Sequence, residues 1–148
     1  MSGGVHIKKS VLFLLCILLL LSGCAAPKGD VAQAKVSIEQ SDKFQKEEIE
    51  HAAEKAMEKF EDFSGCALLR LSYDEESSDK YIVGYMETGH GLTNPVESEN
   101  IIVFLADFDT SDASAKTGFK PNSTYVGFHI ILVRASPEDL WTAVDWGY

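Results

Sequence analysis

The chain of 148 residues is poor in cysteine, poor in basic residues and without any catalytic motif. Three cysteines, Cys16, Cys24 and Cys66, are too few for the disulfide framework of a small secreted scaffold. Lysine and arginine number 13 against 23 acids, for a net charge of −10, and such a surface repels nucleic acid and anionic lipid head groups alike. G-x-S-x-G, H-E-x-x-H, a phosphate-binding glycine loop and a cysteine-histidine pairing are all missing, so nothing nominates a nucleophile. The apolar run from Val11 to Leu21 is too short to cross a bilayer comfortably. No internal repeat is visible.

What is present begins with that run. Lys8 and Lys9 precede it and small residues follow it, which is the layout of an export signal. Leu21, Ser22, Gly23 and Cys24 read L-S-G-C, which resembles the bacterial lipobox. The resemblance implies that Cys24 receives a diacylglyceryl group on its sulfur and becomes the mature N-terminus. Two acyl chains suffice for stable anchoring. Residues 1–23 are therefore expected to be a lipoprotein signal peptide, with the mature chain tethered by Cys24 to the extracytoplasmic face of a bacterial cell membrane. Loss of residues 1–23 removes two lysines and no acid, which takes the net charge from −10 to −12. The lipid on Cys24 is then the expected membrane contact, and nucleic acid is not an expected partner.

Residues 24–43 are small and polar without a clear period and are expected to form a flexible stalk. Residues 44–148 read as a single α+β domain with one modest core. With Cys16 in the signal and Cys24 lipidated, Cys66 has no intramolecular partner, and in FSGCALLRL it reads as a buried structural thiol.

FQKEEIEHAAEKAMEKFEDF carries the clearest structural signal. At 100° per residue, Ile49, Ala52, Ala53, Ala56, Met57, Phe60 and Phe63 fall in one arc, with Glu50, Glu54, Glu58 and Glu61 outside it. This is an amphipathic helix with one buried face. Phe44 and Ile49 have staple spacing, Gln45 is the expected cap, Glu48 stands at the third helical position, and Ser64-Gly65 ends the helix. CALLRLSY, residues 66–73, alternates as a strand. SDKYIVGYMETG carries both a strand stripe and a helical one; a short helix capped by Ser78 is favoured. GHGLTNPVESE is loop by composition, and three strands follow in IIVFLADF, TYVGFHIILVRA and LWTAVDWGY. Both faces of IIVFLADF and of FHIILV are apolar, so both need cover: the first helix on one side, and the second helix, a curled sheet or a second copy of the chain on the other.

FEDFSGCALLRLSYDEESSDK, SENIIVFLADFD, PNSTY and the terminal DWGY together resemble a family of small lipoproteins of Gram-positive bacteria whose sequences end in WGY. Members usually have serine or threonine where this chain has Gln45, and a tryptophan-rich strand where it reads GFHIIL. The resemblance implies an N-terminal amphipathic helix packed on a curved antiparallel sheet of about four strands, similar to NTF2-like or cystatin-like folds. It implies no activity.

Candidate chemistry is sparse. His51 lies on the polar arc of the helix, while His90 and His129 lack a ligand-type neighbour at metal-site spacing, so neither a metal nor a cofactor is expected. DFDTSD has acids at Asp107, Asp109 and Asp112, but an EF-hand would need glycine and glutamate where Asp112 and Gly118 stand, so turn chemistry is the expected role. Asn122-Ser123-Thr124 after Pro121 reads as a turn entering a strand. In LWTAVDWGY, Trp141, Ala143 and Asp145 share one face by alternation. If this strand closes a curled sheet, Trp141, Asp145, Tyr125 and His129 could meet in a pocket, with Asp145 orienting a polar ligand; otherwise they are core and turn residues. The expected function is a non-enzymatic domain that binds a small molecule or a neighbouring envelope protein. The alternative is an enzyme using a carboxylate in an NTF2-like pocket.

Overall fold

The computed structural model of the chain describes residues 27–148; the expected export signal and Cys24 lie outside the described residues. The described residues form an α+β domain with one five-stranded sheet in the order β1-β2-β3-β4-β5. The strands are β1 (Lys35–Ile38), β2 (Cys66–Tyr73), β3 (Ile101–Thr110), β4 (Thr124–Val133) and β5 (Thr142–Gly147). The sheet is mixed, because β1 runs parallel to β2 while the other neighbours are antiparallel.

That edge strand corrects two expectations: the sheet is neither four-stranded nor purely antiparallel, and part of the expected stalk is folded. Asp30 bridges to Ala67, the Asp30 amide donates to the Cys66 carbonyl at 2.8 Å, and Lys35 to Ile38 pair with Arg70 to Tyr73. Because β1 precedes it, the amphipathic helix is not the first element of the described residues.

That helix, α1 (Lys46–Phe60), buries Ile49, Ala52, Ala53, Ala56 and Phe60, the arc that the wheel selects. Gln45 is its N-cap residue, and the Glu48 carboxylate accepts from the Gln45 amide at 2.7 Å. The helix stops at Phe60, four residues short of Ser64-Gly65, and a tight turn delivers the chain to β2. Gly65 in that turn has φ +77°, and a Cβ there would fall 2.4 Å from the backbone nitrogen of Ser114, so two arguments require glycine.

The second helix, α2 (Glu75–Glu87), starts earlier than the apolar stripe suggests. Asp74, not Ser78, caps it by accepting from the Ser77 amide at 2.8 Å. Ser78 is instead buried, and its hydroxyl accepts from the Val103 amide at 3.0 Å, beyond the last paired residue of β2. The hydroxyl thus takes the place of a strand partner. A short helix α3 (Gly89–Thr93) and a 3-10 turn (Ser98–Asn100) lie in the segment expected to be loop.

Strand alternation decides how the two helices are shared. Ile102, Phe104, Ala106 and Phe108 of β3 pack with α1 in the larger core, whereas Ile101 and Val103 pack with Ile82 and Tyr85 of α2 in a smaller one. The second helix is therefore the cover on the other face. It reaches only part of that face, and its margin makes the cleft described next.

Candidate functional site

The four residues read from the sequence as pocket-forming divide between the two faces of the sheet. Trp141 lies just before β5 on the α1 face, buried in the larger core, with the Arg134 guanidinium 4.4 Å from its ring and Phe44 at 5.7 Å edge-on. Tyr125 is also on that face, stacked on Phe108 at 4.9 Å, and its hydroxyl accepts from the Lys120 amide at 2.9 Å. Both are packing residues. Asp145 and His129 are on the α2 face, where they line one cleft.

The split arises at a β-bulge. Ile131 pairs with Asp145 and Leu132 with Ala143, so Val144 is an extra residue in β5. Ala143 packs in the larger core and Val144 in the smaller one, and the next residue, Asp145, stays on the α2 face. Strict alternation would have put Asp145 with Trp141.

The cleft holds about 390 Å³ and runs between the C-terminal half of α2 and the β4–β5 edge. Tyr81 and Tyr85 come from α2, Thr88 from its C-cap, His129 from β4, and Asp145 with Gly147 from β5. In the sequence Tyr81 falls only in the strand stripe of this segment and Tyr85 in both stripes; their i,i+4 spacing on a helix is the signal that could have nominated them. Tyr81 tilts over the His129 ring at 5.1 Å.

His129 is mostly buried, and its Nδ1 has no hydrogen-bond partner among the described residues. Burial pushes its pKa below the usual 6.5, against a weaker upward pull from Asp145. A doubly protonated ring would place a further unpaired N–H in this interior, so the neutral imidazole is the favoured form. Burial foremost, and the Asp145 charge after it, raise the Tyr85 phenol. The Asp145 carboxylate accepts from its own neighbour, the Trp146 amide, at 2.9 Å, and forms no ion pair among the described residues. No hydrogen bond joins it to His129 there. The arrangement brings a carboxylate, an imidazole and two phenols to one cleft, groups that can hold a polar ligand.

The other sequence candidates resolve into structure. Asp107 binds Arg70 at 2.8 Å and accepts from the Gly127 amide at 2.9 Å, Asp109 accepts from Thr124, and Asp112 accepts from Asn122. Among the described residues no cluster of histidine, cysteine and acids could hold a metal. Cys66 is buried, and burial pushes its thiol up to about 11. A second hollow, of about 330 Å³, is lined by Glu39, Gln40 and Lys46 beside Ser41, which donates to Glu75, and Gln45, whose backbone amide donates to Glu48.

No protein-family model, curated protein or solved structure matches the chain. Among the described residues no helix is long and apolar enough to cross a membrane.

Proposed function

We propose that this protein is an exported lipoprotein, anchored by Cys24, whose domain binds a small polar ligand without chemistry. The observation that carries the binding reading is the cleft that gathers Asp145, His129, Tyr81 and Tyr85, with a carboxylate lacking an ion pair and an imidazole nitrogen lacking a partner. Native interiors rarely leave a buried ring nitrogen unmet. The anchor reading rests on the order of Lys8-Lys9, apolar run and Leu21-Ser22-Gly23-Cys24. The likeness to NTF2-like or cystatin-like folds belongs to this proposal too; the helix α1 lying across the sheet is what supports it.

Two experiments test it. Cys24→Ala is expected to move the protein from the membrane fraction into the medium or leave its signal uncleaved; a trimmed, membrane-bound product would overturn the anchor. A screen of small polar molecules, followed through the NMR resonances of His129, Tyr81 and Tyr85, is expected to find saturable shifts confined to the cleft. Shifts elsewhere only, or none, would overturn the binding role.

A further inference from the structure

Resting on that reading of the cleft, we propose that its ligand is a small organic ammonium ion, held by Asp145 beside Tyr81 and Tyr85 near the C-terminal end of α2. Three features of the site select positive charge. The first is Asp145, half-buried on β5 and free of any ion pair among the described residues, so it retains the capacity to take a cation. The second is α2 itself. The cleft is lined by its C-terminal half; Thr88 caps the Gly84 and Tyr85 carbonyls there, but the last turn contains no basic residue, so the dipole still presents partial negative charge at that end. Glu87 at the terminus adds to the same sign. The third is the walls: tyrosine rings attract ammonium groups through their quadrupole and supply apolar contact for the ligand's carbon skeleton.

His129 fits this selection. A neutral imidazole adds no repulsion, whereas an imidazolium would oppose a cation. Lys80 is the one cationic side chain lining the cleft among the described residues, exposed at its margin and without an ion pair there. Its flexible stem lets it withdraw toward water as a ligand enters. An anionic ligand would bring a second negative charge beside Asp145 and the helix terminus, and would have to be desolvated to do so. A neutral polyol would leave the carboxylate uncompensated. The volume of about 390 Å³ is at the small end of ligand sites and suits a compact amine better than a peptide.

The test uses an isosteric series on the full-length chain in neutral detergent micelles at about 0.15 M salt, where loose attraction to the acidic surface is largely screened. Benzylammonium, benzyl alcohol and benzoate share a ring and differ in charge. Benzylammonium is expected to shift the His129, Tyr81 and Tyr85 resonances saturably, with benzyl alcohol at least tenfold weaker and benzoate silent. Asp145→Asn should weaken benzylammonium about tenfold or more, the loss of one charge-assisted hydrogen bond. Lys80→Glu, on an exposed position that the fold does not use, should tighten it several-fold and guards against misfolding of the first variant. If benzyl alcohol or benzoate binds the cleft as well as benzylammonium, the cation assignment falls while the binding function stands. If both variants leave the affinity unchanged, the assignment likewise falls. If none of the three probes shifts the cleft, the cation assignment is overturned, and the wider screen decides the binding function separately.

Discussion

Arg134 Nη1 lies 2.7 Å from the Glu48 carboxylate, tying the residue after β4 to the first turn of α1 across 86 positions of sequence. The guanidinium also donates to Asn100 Oδ1 at 3.3 Å and lies over the Trp141 ring at 4.4 Å. One buried cation thus joins the start of α1, the turn before β3 and the approach to β5. Glu48 meanwhile closes the N-terminal turn of α1 through the Gln45 amide, so one carboxylate serves a local cap and a long-range pair.

Arg134→Met is expected to cost about 2 to 3 kcal/mol in urea unfolding, below the range for a fully buried pair because Glu48 retains some contact with water. Burial pushes the Glu48 carboxyl up, but the Gln45 amide and the Arg134 guanidinium outweigh it and hold the group below its ordinary 4.5. A lowered folded pKa means that the stabilisation is complete above about pH 4.5 and disappears as pH falls through the folded value. Glu48→Gln should therefore flatten the acid limb of the stability profile; an unchanged limb would show that other carboxylates set it.

Phe60 is fully buried, with its ring 5.3 Å from Phe108 and 5.4 Å from Phe63. Phe60→Ala should cost about 3 to 5 kcal/mol. His51, on the polar side of the same helix and half-buried, should tolerate alanine within about 0.5 kcal/mol. Equal losses in denaturant titrations would mean that the buried face of α1 is wrongly assigned.

His129 should titrate below pH 6.5 when followed through its imidazole carbon protons. The unfolded chain takes up the proton first, so this residue's contribution to stability is intact above about pH 6.5 and is lost as pH falls through the lowered folded value. His129→Phe should remove that part of the pH dependence. A midpoint above 6.5 would show the Asp145 charge overriding burial.

Cys66 should resist alkylation at pH 8 in the folded protein and react on unfolding, because burial raises the thiol from 9.0 to about 11. The stabilisation this implies is full below about pH 9 and falls away as pH rises through about 11. Prompt alkylation of the native protein would place the thiol at the surface instead.

Hydrophobic periodicity was sufficient to read α1, β3 and β4, because each buries a face wide enough to leave a stripe in its own sequence. In β2 a bulge between Leu68 and Arg70 breaks the alternation and leaves Leu69 exposed, and no residue of β5 is fully buried. Ile49, Ala52, Ala56 and Phe60 repeat at helical spacing, and β3 is apolar on both faces, so its need for cover on both sides was legible from Ile101 to Phe108 alone. The placement of Cys66 in the interior followed from the same pattern.

Tertiary structure alone decided the rest, and each case has a non-local cause. The segment Lys35–Ile38 is mostly exposed, so no apolar stripe announces it; only backbone pairing with β2 makes it a strand. Ser78 reads as a helix cap, yet its hydroxyl completes the hydrogen bonding of β3 where β2 has ended. Arg134 and Glu48 meet across 86 residues, a distance over which no local spacing rule acts. The candidate site turns on the smallest of these effects. One extra residue, Val144, lets the backbone of β5 bulge against β4, and that shift carries Asp145 away from Trp141 and Tyr125 to the face where His129 and the tyrosines of α2 stand. Alternation sets the order of side chains along a strand, but the register with its neighbour, formed only on folding, sets which face each one meets.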